Sequence, residues 1–151
     1  MIKKIPFTQV GYDSLCTELE SLYTERISAI AELQRSRELG DLSENSAYRV
    51  ARQKVTRIDK RIKHIKNLIK YATIIIPKNK NNIDMGSSFS ISLNNQVFFY
   101  TLVNTFESNI EKGLLSAYSP IGKNMLGKKK GDVVLISTPK GPITCTIVDI
   151  K

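Results

Sequence analysis

Apolar residues recur through Ala51, Val55, Ile58, Ile62, Ile65, Ile69 and Ala72 at alternating steps of four and three. That period is the seam of a coiled-coil helix; a half-buried strand would alternate every second residue. The preceding stretch carries a looser stripe of Tyr12, Leu15, Leu19, Leu22, Ile30 and Leu33, with no proline and with Gly11 as its one glycine, near the start. Two helices are predicted, from Thr8 to Leu39 and from Glu44 to Ala72. The connection Gly40, Asp41, Leu42, Ser43 is too short for anything but antiparallel neighbours. Each arm of about 28 residues would be on the order of 40 Å long. Such a two-helix object has little interior and reads as a projecting finger.

After Pro77 the period changes. Lys78 to Asp84 is rich in Lys and Asn and reads as a linker. Ser87 to Leu93 and Gln96 to Val103 are strand-like and are separated by Asn94 and Asn95, which tolerate the positive φ of a tight hairpin turn. Leu114 to Tyr118, Val133 to Ser137 and Ile143 to Asp149 are further strands. Ser119 as cap, Pro120 at the first position and Gly127 after the last turn frame one short helix. The expected fold class is α+β: an N-terminal antiparallel two-helix coiled-coil hairpin, residues 1–77, followed by a small antiparallel β-sheet domain with a short helix, residues 78–151.

Charge is unevenly spread. The chain of 151 residues has a formal net charge of +9. Nine Lys or Arg and only two acids fall within 44–71, whereas 8–39 carries three basic and six acidic residues. One role for the cations is register: Arg52, Lys54, Arg61 and Lys66 are placed to pair with acids of the first helix. The unpaired remainder suits a phosphate backbone, and nucleic acid, or a protein that handles it, is the favoured partner class. No apolar stretch approaches the length of a membrane span, and Pro6, Thr8, Gln9, Gly11 and Asp13 interrupt any secretory signal, so a cytoplasmic protein is expected. Cys16, Cys145 and the single histidine, His64, offer no zinc-ligand spacing.

Asp41 and Glu44 stand where the chain reverses. With Asp41 as N-cap, Glu44 would be the third helical residue and the pair would form a capping box. The same spacing also suits two carboxylates presented together to Mg²⁺, although two are too few to close a site alone. Both readings are open from spacing.

The run Gly40, Asp41, Leu42, Ser43, Glu44, Asn45, Ser46, Ala47, Tyr48 resembles the tip motif of the bacterial Gre transcript-cleavage factors, the GreA/GreB type of transcription elongation factor. Ser119, Pro120, Ile121, Gly122 to Gly127, then Gly131, Asp132, Val133, Val134 to Gly141, resemble the same family's C-terminal domain, and Ile5, Pro6, Phe7, Thr8 with Gly11 fits its opening. The resemblance implies an FKBP-like C-terminal domain that docks on RNA polymerase and a finger that enters the polymerase secondary channel. It implies an accessory factor rather than an enzyme: polymerase's own Mg²⁺-dependent cleavage of backtracked RNA is stimulated, and arrested complexes are rescued. Asp41 and Glu44 would assist that active site by sharing its Mg²⁺, with none bound stably to the factor alone. Gly40, Asn45, Ser46 and Tyr48 would support the tip, and Arg37, Arg49, Arg52, Arg57 and Lys60 would face polymerase or the nascent RNA 3′ end. A monomer with no membrane partner is expected. The rival readings are a channel-occupying inhibitor of the same shape, a basic coiled-coil nucleic-acid-binding module, and a prolyl isomerase; fold resemblance alone does not carry the last.

Overall fold

The computed structural model describes residues 4–40, 44–78 and 80–151. The chain forms two compact units, one of Tyr12–Ala72 and one of Lys4–Gly11 with Thr73–Lys151. The opening segment thus packs with the second half of the sequence.

The first unit is the helical hairpin of α1, Gln9–Glu38, and α2, Ser46–Tyr71, except that the first turn of α1, through Gly11, belongs to the second unit. Its antiparallel register is set by ion pairs that join Arg61 to Glu18, Asp59 to Arg26 and Lys54 to Glu32. Ala51, Ile58, Ile62, Ile65 and Leu68 are the buried face of α2, while Val55 and Ile69 are half-buried. Leu68 takes the place expected for Ile69 because a 3.6-residue helix drifts against a strict heptad. On α1 the fully buried positions are Leu15, Ala29 and Ser36. Two of these are small, and they let α2 approach closely: Ala29 packs with Ile58 and Ile62.

In the second unit a five-stranded sheet has the order β5-β4-β3-β7-β6, with β3 at Ser88–Leu93, β4 at Gln96–Val103, β5 at Leu114–Ser116, β6 at Val133–Thr138 and β7 at Gly141–Ile150. The β3–β4 hairpin turns on Asn94 and Asn95, both at positive φ. The sheet departs from the purely antiparallel expectation at one edge, where β5 runs parallel to β4. A crossover through a 3₁₀ turn at Ile110–Lys112 brings β5 in from the same end. Two three-residue strands, β1 at Ile5–Phe7 and β2 at Ala72–Ile74, form a second small sheet. The second helix therefore ends at Tyr71, one residue before the seam expected at Ala72.

The core gathers Phe89, Ile91, Leu102, Leu115, Met125, Val134, Ile136, Cys145 and Ile147 on one side of the sheet. Ile83 is also in it, with its N–H bonded to the Lys128 carbonyl at 2.8 Å and its carbonyl accepting from Gly127 N–H at 2.7 Å. The end of the expected linker is thus docked structure. Burial pushes the Cys145 thiol up from its ordinary value, as suits a packed thiol. Among the described residues no helix is long and apolar enough to cross a membrane.

The short helix α3, Pro120–Met125, closes the core where the sequence placed it. Ser119 caps it, accepting from Gly122 N–H at 3.0 Å and donating to the Ser116 carbonyl at 2.7 Å. A Cβ on Gly122 would stand 1.9 Å from that same carbonyl oxygen. Because the obstacle is backbone, Gly122→Ala is expected to cost about 1 to 3 kcal/mol, read as a lowered urea midpoint for the sheet.

Candidate functional site at the hairpin tip and along its outer face

α2 begins later than the sequence pattern implied. Its N-cap is Asn45, whose Oδ1 accepts from Tyr48 N–H at 3.0 Å, and Ser46 is the first helical residue. Glu44 lies before the cap in a turn. It is not the third residue of the helix, which is the position that the expected capping box required of it. Asp41 itself, with Leu42 and Ser43, lies outside the described residues.

Asn45 does more than cap. Its Nδ2 donates to the Ser36 carbonyl at 2.7 Å, bonding the start of α2 to the last turn of α1. The Ser36 hydroxyl donates in turn to the Leu33 carbonyl at 2.7 Å. Asn45→Ala removes a cap and a cross-link together and is expected to destabilise the hairpin by about 1 to 2 kcal/mol. Asn45→Asp retains an oxygen for the cap but sets an anion against a carbonyl, so hydrogen exchange should accelerate at the tip in that variant as well.

The clamp leaves Glu44 exposed, and its carboxylate has no hydrogen bond or ion pair with another described residue. Gly40, at φ +140°, and Ser46 are exposed, and Tyr48 is half-buried one turn into α2. No group of three or more His, Cys, Asp or Glu side chains that could hold a metal ion occurs among the described residues. Glu44 is thus at most a partial donor for a hard cation, which needs about six oxygens.

The cations of α2 sort into two sets. Lys54 bonds Glu32 at 2.8 Å, and Arg61 holds Glu18 through Nε at 2.6 Å and a second nitrogen at 2.9 Å. These partners lower the Glu32 carboxyl and raise the Arg61 guanidinium from their ordinary values. Arg26 of α1 neutralises Asp59 at 2.5 Å. Of the four register cations expected on α2, Lys54 and Arg61 serve that role, and Arg52 and Lys66 do not.

Arg49, Arg52, Arg57 and Lys60 make no ion pair with a described residue. With Gln53 and Thr56 they line one open groove. Their spacing along the helix puts them on one face, opposite Ala51, Ile58 and Ile62. Gln53 and Thr56 escaped the sequence reading because they carry no charge. Arg37 is exposed in the last turn of α1 and does not line this groove.

A family profile described as the N-terminal part of transcription elongation factors matches residues 5–74, and a second, for the C-terminal part of GreA/GreB, matches 78–151. The chain belongs to the GreA/GreB family of transcription elongation factors. Transcription elongation factor GreA of Helicobacter hepaticus is 40% identical over 151 residues, covering 96% of this chain and 92% of the relative. GreA of a Nitratiruptor species is 32% identical over 154 residues, covering 99% of this chain and 94% of the relative. Among solved structures, GreA factor homolog 1 (Gfh1) of Thermus thermophilus is 28% identical with a TM-score of 0.47, over 98% of this chain and 99% of that one. Membership of a transcription elongation factor family implies an interaction with RNA polymerase.

Proposed function

We propose that the hairpin enters the secondary channel of RNA polymerase and stimulates the enzyme's own cleavage of backtracked RNA, so that an arrested complex regains an RNA 3′ end at its active centre. The observation that carries this reading is Glu44: a carboxylate exposed at the reversal of a helical hairpin, next to a residue that clamps both helices, and without a partner among the described residues. A side chain kept free on a fixed base is suited to service in another molecule's site.

Glu44, with Asp41, would contribute oxygens to a Mg²⁺ held mainly by polymerase. That ion would supply the acidity that activates water and stabilises a leaving oxygen in phosphodiester hydrolysis. The carboxylates of this chain orient and hold; the chain carries no catalytic centre of its own. The groove of Arg49, Arg52, Arg57 and Lys60 supplies positive charge along about 16 Å of helix, suited to the phosphates of the extruded RNA. An acidic channel wall would be attracted by the same face.

Adding the purified protein to arrested elongation complexes with Mg²⁺ and sizing the RNA tests the proposal. Short 3′ fragments and resumed elongation are expected; an unchanged RNA length overturns it. The RNA contact has its own signature: changing Arg52 and Arg57 to Gln should shrink the slope of log affinity for the backtracked complex against log salt by about 0.7 per residue. An unaltered slope would remove those two side chains from the contact.

A further inference from the structure

The opening motif Ile5, Pro6, Phe7, Thr8 with Gly11 leads to a carboxylate nearly a hundred residues away. Thr8 precedes α1 and its Oγ1 accepts from Gly11 N–H at 3.0 Å, which is one half of a capping box. In the usual box the third helical residue is Glu or Gln and reaches back to the N–H of the cap. Here that residue is Gly11. The reciprocal bond is made instead by Glu107, whose Oε1 accepts from Thr8 N–H at 3.1 Å while Oε2 accepts from the Thr8 hydroxyl at 2.5 Å.

Gly11 makes room for this arrangement, since a Cβ there would lie 1.9 Å from Glu107 Oε2. Asn104, buried, completes the cluster. Its Nδ2 donates to Glu107 Oε1 at 2.8 Å and to the Pro6 carbonyl, and its Oδ1 accepts from Phe106 N–H at 2.6 Å and Glu107 N–H at 3.2 Å. Phe7, which follows Pro6 in the chain, is fully buried, and its carbonyl accepts from Ile75 N–H at 2.9 Å. Burial raises the Glu107 carboxyl, and the Thr8 bonds oppose that rise. A carboxylate also suits the positive end of the α1 dipole.

We infer that Glu107 is a positioning residue for α1: it completes the N-terminal cap of that helix and holds its first turn. The inference rests on the proposed cleavage function for its consequence, but not for the clasp. α1 continues unbroken from Gln9 to Glu38, about 45 Å. Loosening of its first turn is passed along that one continuous helix, and catalytic groups misplaced by ~1 Å already lose most of their effect.

The test uses full-length Glu107→Ala, Glu107→Gln and Gly11→Ala. For Glu107→Ala, amide exchange at residues 8–11 should accelerate at least tenfold while Ala29 and Ser36 keep their protection. RNA cleavage at saturating factor should fall about tenfold, with the half-saturating concentration changed less than twofold. Glu107→Gln, which keeps an acceptor for Thr8 N–H and for Asn104, should restore the rate to within about twofold. Gly11→Ala should reproduce the Glu107→Ala result, and the double variant should be no worse than either single one, because both remove the same bond. Unchanged exchange in Glu107→Ala overturns the clasp, and faster exchange with an unchanged saturating rate overturns the positioning role. Absence of stimulated cleavage by the unaltered protein would instead overturn the proposed function, and the exchange result would then decide the clasp by itself.

Discussion

Glu44→Gln is expected to reduce stimulated RNA cleavage by about a hundredfold, in line with the loss of one preorganised group at a charged transition state, while folding stability stays within about 0.5 kcal/mol. The separation follows from where Glu44 stands. It is exposed, it precedes the cap, and it supports no described neighbour, so its removal deletes chemistry without deleting structure. Asp41→Asn should fall in the same direction. The double variant should be little worse than either single one, because two oxygens that act on one ion function as a unit. The measurement is the rate of RNA shortening at saturating factor, paired with competition against unaltered protein to show that polymerase binding persists. Undiminished cleavage by Glu44→Gln would remove the tip carboxylate from the mechanism.

Ile58→Ala is expected to destabilise the hairpin by about 2 to 4 kcal/mol. Ile58 is 2% exposed and packs on Ala29, which is wholly buried. Ala29 has only a methyl group and no rotamer with which to follow the receding surface, so little of the cavity is refilled. Ile27, on the same helix as Ala29, is 72% exposed, and Ile27→Ala should change stability by no more than about 0.5 kcal/mol. Urea unfolding followed by helical circular dichroism compares the two. Equal midpoints would show that the packed seam has been misplaced.

The two helices, the Asn94–Asn95 hairpin and the Ser119–Pro120 start of α3 were legible in the chain because each is written in local chemistry: a heptad repeat, a pair of residues that tolerate positive φ, a cap followed by proline. The buried face of α1 was less legible. Ala29 and Ser36 count for little in a hydrophobic pattern, yet they are buried because close approach of two helices selects for small size. β1 and β2 are each three residues long, too short for any alternation to show.

The start of α2 is the instructive departure. Asp and Asn are both good N-caps, and spacing to Glu44 favoured Asp41. Asn45 caps because its amide also reaches the Ser36 carbonyl, a bond that Asp cannot donate. That choice moved Glu44 out of the helix and left its carboxylate free. Likewise, composition showed that α2 had cations to spare, but only the packed register separated Lys54 and Arg61, which are spent on α1, from the four that line the outer groove.

Local pattern was enough for the two long helices, the five strands of the main sheet, α3 and the excess of positive charge on the second helix, since periodicity, turn residues and charge counts act over a few neighbours. Folding in three dimensions was needed to fix how α1 and α2 are capped, which carboxylate remains exposed and which cations are unpaired. Those outcomes depend on partners 9 to 99 residues apart in the chain, whose meeting no local pattern encodes.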